Sequence, residues 1–127
     1  MTEDNCPFCS PETLTHAVAY HGTAFAVDDR FPVTDGHLLV IPHRHVPDWF
    51  ALNGAERRDV ETLLLRLRER ALAGDPTITG FNVGMNCGAS AGQTIFHAHV
   101  HLIPRRDGDT ENPRGGVRGV VPGKQSY

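Results

Sequence analysis

The alternation of histidine and apolar residues over residues 96–104 is the feature that most constrains what this chain can fold into. The segment reads FHAHVHLIP. Successive side chains of a β-strand point to opposite faces of a sheet, so the pattern predicts a strand with one imidazole face and one apolar face. The imidazole face consists of His97, His99 and His101, and the apolar face consists of Ala98, Val100 and Leu102. Three imidazoles side by side favour a chemical role over packing.

The composition indicates one ordinary globular domain. The chain has 127 residues, of which 39% are hydrophobic and 21% charged, as is typical of soluble proteins. A net charge of -3 offers no broad basic surface for nucleic acid, and no apolar run is long enough to cross a bilayer. The polar, acidic residues 1–5 do not resemble a secretory signal, so we expect a cytoplasmic protein. Three cysteines are too few for a disulfide scaffold.

Short apolar segments bounded by turn residues predict four further strands. They cover residues 17–20, 24–28, 37–41 and 80–85. One long helix is predicted between the third and the fourth of these strands. This order of elements predicts an α+β protein with an antiparallel sheet of about five strands and one long helix. We expect a single domain over residues 1–106. Residues 107–127, rich in glycine, proline and charged residues, are expected to form a loosely ordered tail that could fold over the site.

The long helix has clear start and stop signals. Asn53 is a favoured N-cap residue, and Glu56 three positions later completes a capping-box pattern. Apolar residues then recur at helical spacing, and Gly74 and Pro76 predict the end of the helix. The apolar positions are Val60, Leu63, Leu64, Leu67 and Ala71.

Several segments together resemble one known family. The run from His97 to Ile103 fits the signature His-φ-His-φ-His-φ-φ, where φ is apolar, at every position. Four other segments match in order and spacing: residues 6–9, 29–32, 36–45 and 86–94. The chain is therefore similar to the histidine triad (HIT) superfamily of nucleotide hydrolases and transferases over about residues 5–106. The resemblance implies an antiparallel sheet with a long helix, and a homodimer.

The resemblance also implies an activity. The expected substrates are small purine nucleotides with a phosphoramidate or phosphoanhydride bond, such as AMP-amidates or diadenosine tetraphosphate, cleaved through a covalent nucleotidyl-histidine intermediate. His99 would be the nucleophile, and His101 would donate a hydrogen bond to the phosphate or the leaving group. The remaining site residues implied are Gln93 and Thr94 at the phosphate, Asn86 on its far side, Asp29 at the ribose hydroxyls and His37 beside the triad. Turn or packing roles remain alternatives for Asp29, Asn86 and His37.

A metal site is indicated at the N-terminus. Cys6 and Cys9 form a CxxC pair, which is half of a tetrahedral zinc site. A redox pair is the alternative, but such pairs follow a strand, and none is predicted before Cys6. The resemblance implies that His45 and His97 complete a closed, structural Zn²⁺ site. His43, two residues from His45, is the competing ligand.

Two other classes of function remain open at this point. The triad itself could bind a catalytic metal, or the chain could be a non-catalytic, zinc-stabilised nucleotide-binding or scaffold protein. Nucleotidyl transfer to a sugar phosphate is less favoured, because that branch of the family shows a glutamine near the position of His101. A further hypothesis is that basic residues reach a polyphosphate, namely Arg105, Arg106, Arg114, Arg118 and Lys124.

Overall fold

A computed structural model describes Glu3 and residues 5–127. Met1, Thr2 and Asp4 belong to the polar N-terminus from which a cytoplasmic protein was predicted, and they lie outside the described residues. Within the described part of the chain, no helix is both long and apolar enough to cross a membrane.

Five antiparallel strands form one sheet. In chain order the elements are α1 (Pro11–Thr15), β1 (Ala19–His21), β2 (Ala24–Asp28), β3 (Leu38–Pro42), α2 (Gly54–Gly74), β4 (Ile78–Gly84) and β5 (Val100–Arg106). The strands lie side by side in the order β1-β2-β3-β5-β4, with every neighbouring pair antiparallel. The α+β fold predicted from the sequence is therefore confirmed. The short helix α1, which starts after the N-cap Ser10, was not predicted.

Helix α2 begins with the predicted capping box. The side chain of Asn53 accepts from the Glu56 amide at 2.8 Å, and the Glu56 carboxylate accepts from the Asn53 amide at 2.9 Å. Glu56 is buried, and its two oxygens also accept from the Arg44 guanidinium at 2.9 and 2.7 Å. Because Arg44 lies just after β3, this ion pair fixes the start of the helix against the segment that carries His43 and His45.

The two faces of the sheet are buried differently. Helix α2 covers one face, with Val60, Leu63 and Leu67 packed on apolar residues of β2, β3 and β5. The N-terminal segment covers part of the other face, where Phe8 packs on Phe25, Val27, Leu39 and Ile41. Leu39 pairs with His101 in the register of β3 and β5. The strand therefore presents His101 on the face opposite to the long helix.

The triad segment differs from the prediction in its strand limits. Strand β5 begins at Val100, not at Phe96, so His97 and His99 precede it. The backbone here forms a single hydrogen bond in place of a ladder of strand hydrogen bonds. In it, the Ala98 amide donates to the Val46 carbonyl at 2.7 Å. The pairing of β3 with β5 stops at Val40 and Val100, although β3 itself continues to Pro42. Pro42 has no backbone N–H to donate, and its carbonyl accepts from the His97 side chain. The first two histidines of the triad therefore lie on a loop that leads into the strand.

The chain after β5 has little regular structure but makes several internal contacts. It contains a 3-10 turn over Gly116–Val120. The side-chain amide of Gln125 donates to the carbonyls of Asn112 and Arg114 at 2.9 and 3.2 Å. Residues 107–127, called the tail below, thus have a defined path held by backbone contacts. A boundary between domain and tail at residue 106 stays a prediction.

Candidate functional site

Two sulfur and two nitrogen ligands converge between the N-terminus and the triad. The Nδ1 atom of His97 lies 3.4 Å from the Cys6 sulfur, 3.5 Å from the Cys9 sulfur and 3.2 Å from Nδ1 of His45. The Cys9 sulfur lies 3.3 Å from Nδ1 of His45. All four ligand atoms lie within 4.8 Å of one another. The structure therefore brings together the four residues that the sequence analysis assigned to the metal.

The spacing of these atoms fits a tetrahedral metal ion. Zinc bonds of about 2.3 Å to sulfur and 2.0–2.1 Å to nitrogen give ligand-to-ligand edges of about 3.3–3.8 Å. The observed separations of 3.2–3.5 Å agree with these edges. The Nε2 atom of His97 lies 2.7 Å from the Pro42 carbonyl and donates to it, which leaves the Nδ1 lone pair for the metal. Burial lowers the pKa of His97, and the neutral ring it favours is the form that binds metal.

His43 takes no part in this cluster. Its ring is stacked on Phe25, with the ring centroids 4.9 Å apart, and the residue is exposed. His45, in contrast, is half-buried and its Nδ1 faces Cys9 and His97. The structure favours His45 over the alternative ligand.

A hydrogen-bonded chain fixes the proton on His101. The Val33 amide donates to Nδ1 of His37 at 3.0 Å, so a neutral His37 carries its proton on Nε2. That nitrogen lies 2.9 Å from Nδ1 of His101 and donates to it. The proton of neutral His101 is therefore on Nε2. The Asp29 carboxylate lies beside the pair, 3.4 Å from His37 Nε2 and 3.8 Å from His101 Nδ1.

The same hydrogen bonds argue against a metal ion held by Asp29, His37 and His101. These three residues lie close enough to form a ligand cluster. However, Nδ1 of His37 already accepts from Val33, so binding through Nε2 would require a doubly deprotonated ring. This geometry disfavours the hypothesis that the triad side of the site holds a catalytic metal.

His99 has the opposite arrangement of proton and lone pair. Its Nδ1 lies 2.8 Å from the carbonyl of His97 and donates to it, which leaves the lone pair on Nε2. The ring of His101 is 5.3 Å away between centroids. A free imidazole lone pair and an imidazole N–H donor therefore lie side by side, as attack on a phosphorus atom and stabilisation of its oxygens require.

Phe8 is a site residue that the sequence analysis missed. It lies between Cys6 and Cys9 in the sequence, and its buried ring meets the rings of His97 and His99 edge-on, with centroids 5.9 and 5.0 Å away. Its position inside the CxxC motif was the available signal. Through this ring, the N-terminal cluster packs directly on the imidazole of His99.

The glycine-rich loop before the triad is held by Gln93. The side-chain oxygen of Gln93 accepts from the Gly88 amide at 2.7 Å, and its nitrogen donates to the carbonyls of Ile95 and Pro47. Gly88 and Gly92 have φ values of 98° and 94°, which favour glycine, at the two ends of the turn that Gln93 closes. The Gln93 side chain thus acts on the loop itself, a role that the sequence analysis did not foresee.

The other predicted substrate contacts lie around this loop. Asn86 is half-buried and lines a cavity together with His101. Thr94 is exposed, near Cys6 and His45. Contact of Gln93, Asn86 and Thr94 with a phosphate stays a prediction.

Comparison with known proteins identifies the family. Residues 10–108 match the family model described as the HIT domain. An uncharacterized HIT-like protein of Mycoplasma pneumoniae is 35% identical over 112 residues, which cover 83% of this chain and 74% of that protein. The protein therefore belongs to the HIT family.

Two further relatives concern activity and metal. A Mycobacterium tuberculosis protein named AP-4-A phosphorylase is 35% identical over 96 residues, 72% of this chain but 47% of that protein. The crystal structure of a zinc-bound histidine triad family protein from Mycobacterium smegmatis has a TM-score of 0.75 at 28% identity, covering 85% of this chain and 80% of that one.

The histidine pair predicts a pH-dependent stability. Burial lowers the pKa of His37 and of His101. As pH falls, the unfolded chain binds protons near pH 6.5, whereas the folded pair binds them only at lower pH, so the free energy of unfolding decreases. We expect His37→Gln/His101→Gln to lose less stability than the wild type between pH 7.5 and 5.5 in urea denaturation.

The cluster of Cys6, Cys9, His45 and His97 is the same in the wild type and the double variant, so its own pH dependence cancels when their stabilities are compared. His16→Gln, at an exposed histidine outside the site, is the control and should follow the wild type. Parallel curves for the wild type and the double variant would contradict the prediction.

Proposed function

We propose that this protein is a nucleotide hydrolase that works through a covalent nucleotidyl intermediate on His99. The observation that carries the proposal is the pair of fixed tautomers, with an Nε2 lone pair on His99 and an Nε2–H donor on His101. Each tautomer is set by a bond on the other ring nitrogen, so the pair is organised before a substrate binds. Enzymes among the HIT relatives support the same class of reaction.

The reaction has two transfers at one phosphorus atom. In the first, Nε2 of His99 bonds to the α-phosphorus as the bond to the leaving group breaks, and the leaving atom keeps the electron pair. An amine leaving group needs a proton, which Nε2–H of His101 is placed to supply. In the second, a water oxygen bonds to phosphorus as the His99–phosphorus bond breaks, and Nε2 of His99 keeps the electron pair. The proton of the water returns to Nε2 of His101 if that nitrogen protonated the leaving group, and otherwise passes to solvent. The products are a nucleoside monophosphate and the free leaving group.

The proposed substrates are AMP-amidates or dinucleoside polyphosphates such as diadenosine tetraphosphate, with a purine as the transferred nucleoside. Asp29 is half-buried beside the histidine pair, where its carboxylate can accept from two ribose hydroxyls. We assign the phosphate to the space between His99, Asn86 and Thr94. His37 positions His101 and does not touch the substrate.

We propose a structural Zn²⁺ ion at Cys6, Cys9, His45 and His97. The donor set is closed, so the ion supplies cross-linking of the N-terminal segment and no open coordination position. The relative from Mycobacterium smegmatis, described as zinc-bound, supports the assignment. Free cysteines at these ligand positions fit the reducing cytoplasm, which is the compartment we propose.

We also propose a homodimer. Among the strands of the described residues, β4 is paired with β5 and lies at one edge of the sheet. Val83 on this edge strand and Leu65 on α2 are exposed apolar residues. A second copy could cover them by extending the sheet.

Turnover tests the proposed reaction. We expect the wild type, loaded with one zinc per chain, to release AMP from adenosine phosphoramidate, from diadenosine tetraphosphate, or from both. Reaction in ¹⁸O-water should place the label in the AMP. Absence of AMP release from either substrate would contradict the proposal and support a non-catalytic nucleotide-binding protein instead.

A further inference from the structure

The Asp29 carboxylate is fixed beside the two coupled imidazoles. Its Oδ1 accepts from the Phe31 amide at 2.8 Å, and the Asp29 amide donates to the His37 carbonyl at 3.0 Å. Its Oδ2 lies 3.4 Å from Nε2 of His37 and 3.8 Å from Nδ1 of His101. The side chain of Asp29 is 16% exposed, and that of His37 is 2% exposed. One oxygen of a largely buried carboxylate therefore faces both imidazoles.

The neutral histidine pair has no proton to spare. It holds one proton on Nε2 of His37 and one on Nε2 of His101. If the Nε2 proton of His101 passed to a leaving amine, a single proton would remain for two rings, and one ring would be doubly deprotonated. A general acid that works near neutral pH therefore needs a third proton in this pair.

The third proton has one place to bind within the pair. Nδ1 of His37 accepts from the Val33 amide at 3.0 Å, and a proton on that nitrogen would break this hydrogen bond. Nδ1 of His101 is the other basic nitrogen. Once protonated, it no longer accepts from Nε2–H of His37, 2.9 Å away. Two N–H groups then face each other, and both need a new acceptor.

Oδ2 of Asp29 is placed to accept from both N–H groups. Each of its two distances needs to close by less than about 1 Å to reach that of a hydrogen bond. A carboxylate has about four lone-pair sites, so contact with His37 and His101 still leaves sites for ribose hydroxyls. The negative charge of Asp29 also stabilises a positive charge on His101.

The other groups around His101 oppose a positive charge there. Burial lowers the pKa of His101, and the imidazoles of His99 and His37 lower it further, whereas Asp29 raises it. Arg105, on the same strand, is paired with Asp109 at 2.7 Å. Among the described residues, Asp29 is the one that forms an ion pair with His101.

We propose that Asp29 is the counter-ion that allows His101 to carry a second proton and to act as the acid for amine leaving groups. This role rests on the proposed function and comes in addition to contact with the ribose. In the first transfer, the phosphorus–nitrogen bond breaks, and the leaving nitrogen keeps the electron pair and takes the Nε2 proton of His101. His101 is then neutral, with its proton on Nδ1 and directed at Asp29. The water of the second transfer returns a proton to Nε2.

The role of Asp29 depends on the leaving group. The amine of adenosine phosphoramidate needs a proton to leave. The leaving group of diadenosine tetraphosphate departs as a phosphate anion and needs none. Asp29 is therefore expected to set the pH dependence for the first substrate and not for the second.

Side-chain ¹⁵N NMR of the zinc-loaded protein tests the protonation without any substrate. Asp29→Asn removes the charge and keeps the size of the side chain. We expect the pKa of His101 to be lower in this variant than in the wild type, and Nδ1 to be the nitrogen that takes the added proton. An unchanged pKa of His101 would overturn the counter-ion role.

Asp28→Asn is the matched control, since it removes the same charge one residue away. Asp28 is exposed at the end of β2. Ala26, two residues before it, packs on the side of α2, so Asp28 lies on the face opposite to the histidine pair. We expect the pKa of His101 in Asp28→Asn to match that of the wild type.

The rate of the first transfer tests the catalytic consequence. It is measured in single turnovers at saturating enzyme between about pH 8 and 6. Above the pKa of His101, we expect Asp29→Asn to slow cleavage of adenosine phosphoramidate at least about fivefold. The difference should shrink as pH falls, because the rate follows the fraction of doubly protonated His101. For diadenosine tetraphosphate, the ratio of variant to wild-type rate should not change with pH.

A lost ribose contact alone gives a different result. It would change the rate or KM by the same factor for both substrates at every pH, and that pattern would overturn the counter-ion role while the proposed function stands. Cleavage of diadenosine tetraphosphate alone would likewise overturn it. If the wild type cleaves neither substrate, the proposed function fails, and the acid role of His101 fails with it.

Discussion

Replacement of His99 by glycine is expected to reduce kcat for AMP release by a factor on the order of 10⁴ or more. The reason is that Nδ1 of His99 donates to the His97 carbonyl, which leaves the lone pair on Nε2 for attack on phosphorus. His101 has the opposite tautomer, because its Nδ1 accepts from His37. A water molecule in the vacated space lacks the basicity of the imidazole. Steady-state kinetics on zinc-loaded protein measures the effect.

His43→Ala is the matched control for this variant. His43 is exposed and lies outside both the Cys/His cluster and the group of His37, His99 and His101. Its loss should therefore leave kcat within about twofold of the wild type. Circular dichroism establishes that both variants are folded. Retention of more than about a tenth of the wild-type kcat by His99→Gly would contradict the role of His99 as nucleophile.

Replacement of Cys6 by serine is expected to lower the stability strongly. The sulfur of Cys6 is one of four converging ligand atoms, and a structural zinc ion contributes its binding free energy to folding. We expect the free energy of unfolding to fall by at least about 3 kcal/mol, which corresponds to a drop in Tm of about 10 °C or more. Treatment of the wild type with a strong chelator should have a similar effect. Zinc content and thermal unfolding are the measurements.

Cys87→Ser is the control, because Cys87 is half-buried in the glycine-rich loop, outside the ligand cluster. For the imidazole ligand, the corresponding comparison is the zinc content of His45→Ala with that of His43→Ala. We expect Cys6→Ser and His45→Ala to lose zinc and both controls to retain it. Unchanged zinc content and Tm in Cys6→Ser would contradict the proposed metal site.

The proposed metal site and the proposed nucleophile His99 are linked through Phe8. This ring lies between the two cysteines in sequence and packs edge-on against His97 and His99 in space. We therefore expect loss of zinc to free the Phe8 ring, which packs against the imidazole ring of His99. Activity should fall along with stability when zinc is removed, although the ion contacts no substrate.

Much of the fold was predictable because its signals are local. The capping box of Asn53 and Glu56 and the apolar stripe of α2 depend on residues a few positions apart, and the structure contains both. Alternation in β5 correctly indicated that His101 lies on the face opposite to Val100 and Leu102. The start of β5 was wrong because its pairing with β3 stops at Val100, opposite Val40, while β3 continues to Pro42. Alternation within one segment does not encode where pairing stops.

The residues of the Cys/His cluster were predictable from the sequence, but the proton positions in the His37–His101 pair were not. The resemblance to the HIT family named the four ligands that the structure brings together. In contrast, the tautomer of His101 follows from the Val33 amide acting through His37, a contact between segments distant in sequence. The path of the tail depends on Gly115 fitting against Gln125, a contact that the glycine-rich composition does not specify.

Detection of the covalent intermediate is the most direct test of nucleotidyl transfer through His99. Zinc-loaded wild type is mixed with excess diadenosine tetraphosphate or adenosine phosphoramidate, quenched within milliseconds in alkali, which preserves a phosphorus–nitrogen bond, and analysed by intact mass and peptide mapping. We expect a mass increase of one AMP group on the peptide that contains His99, and no increase in His99→Gly. Release of AMP at the wild-type rate without any adduct, or an adduct on another residue, would contradict it.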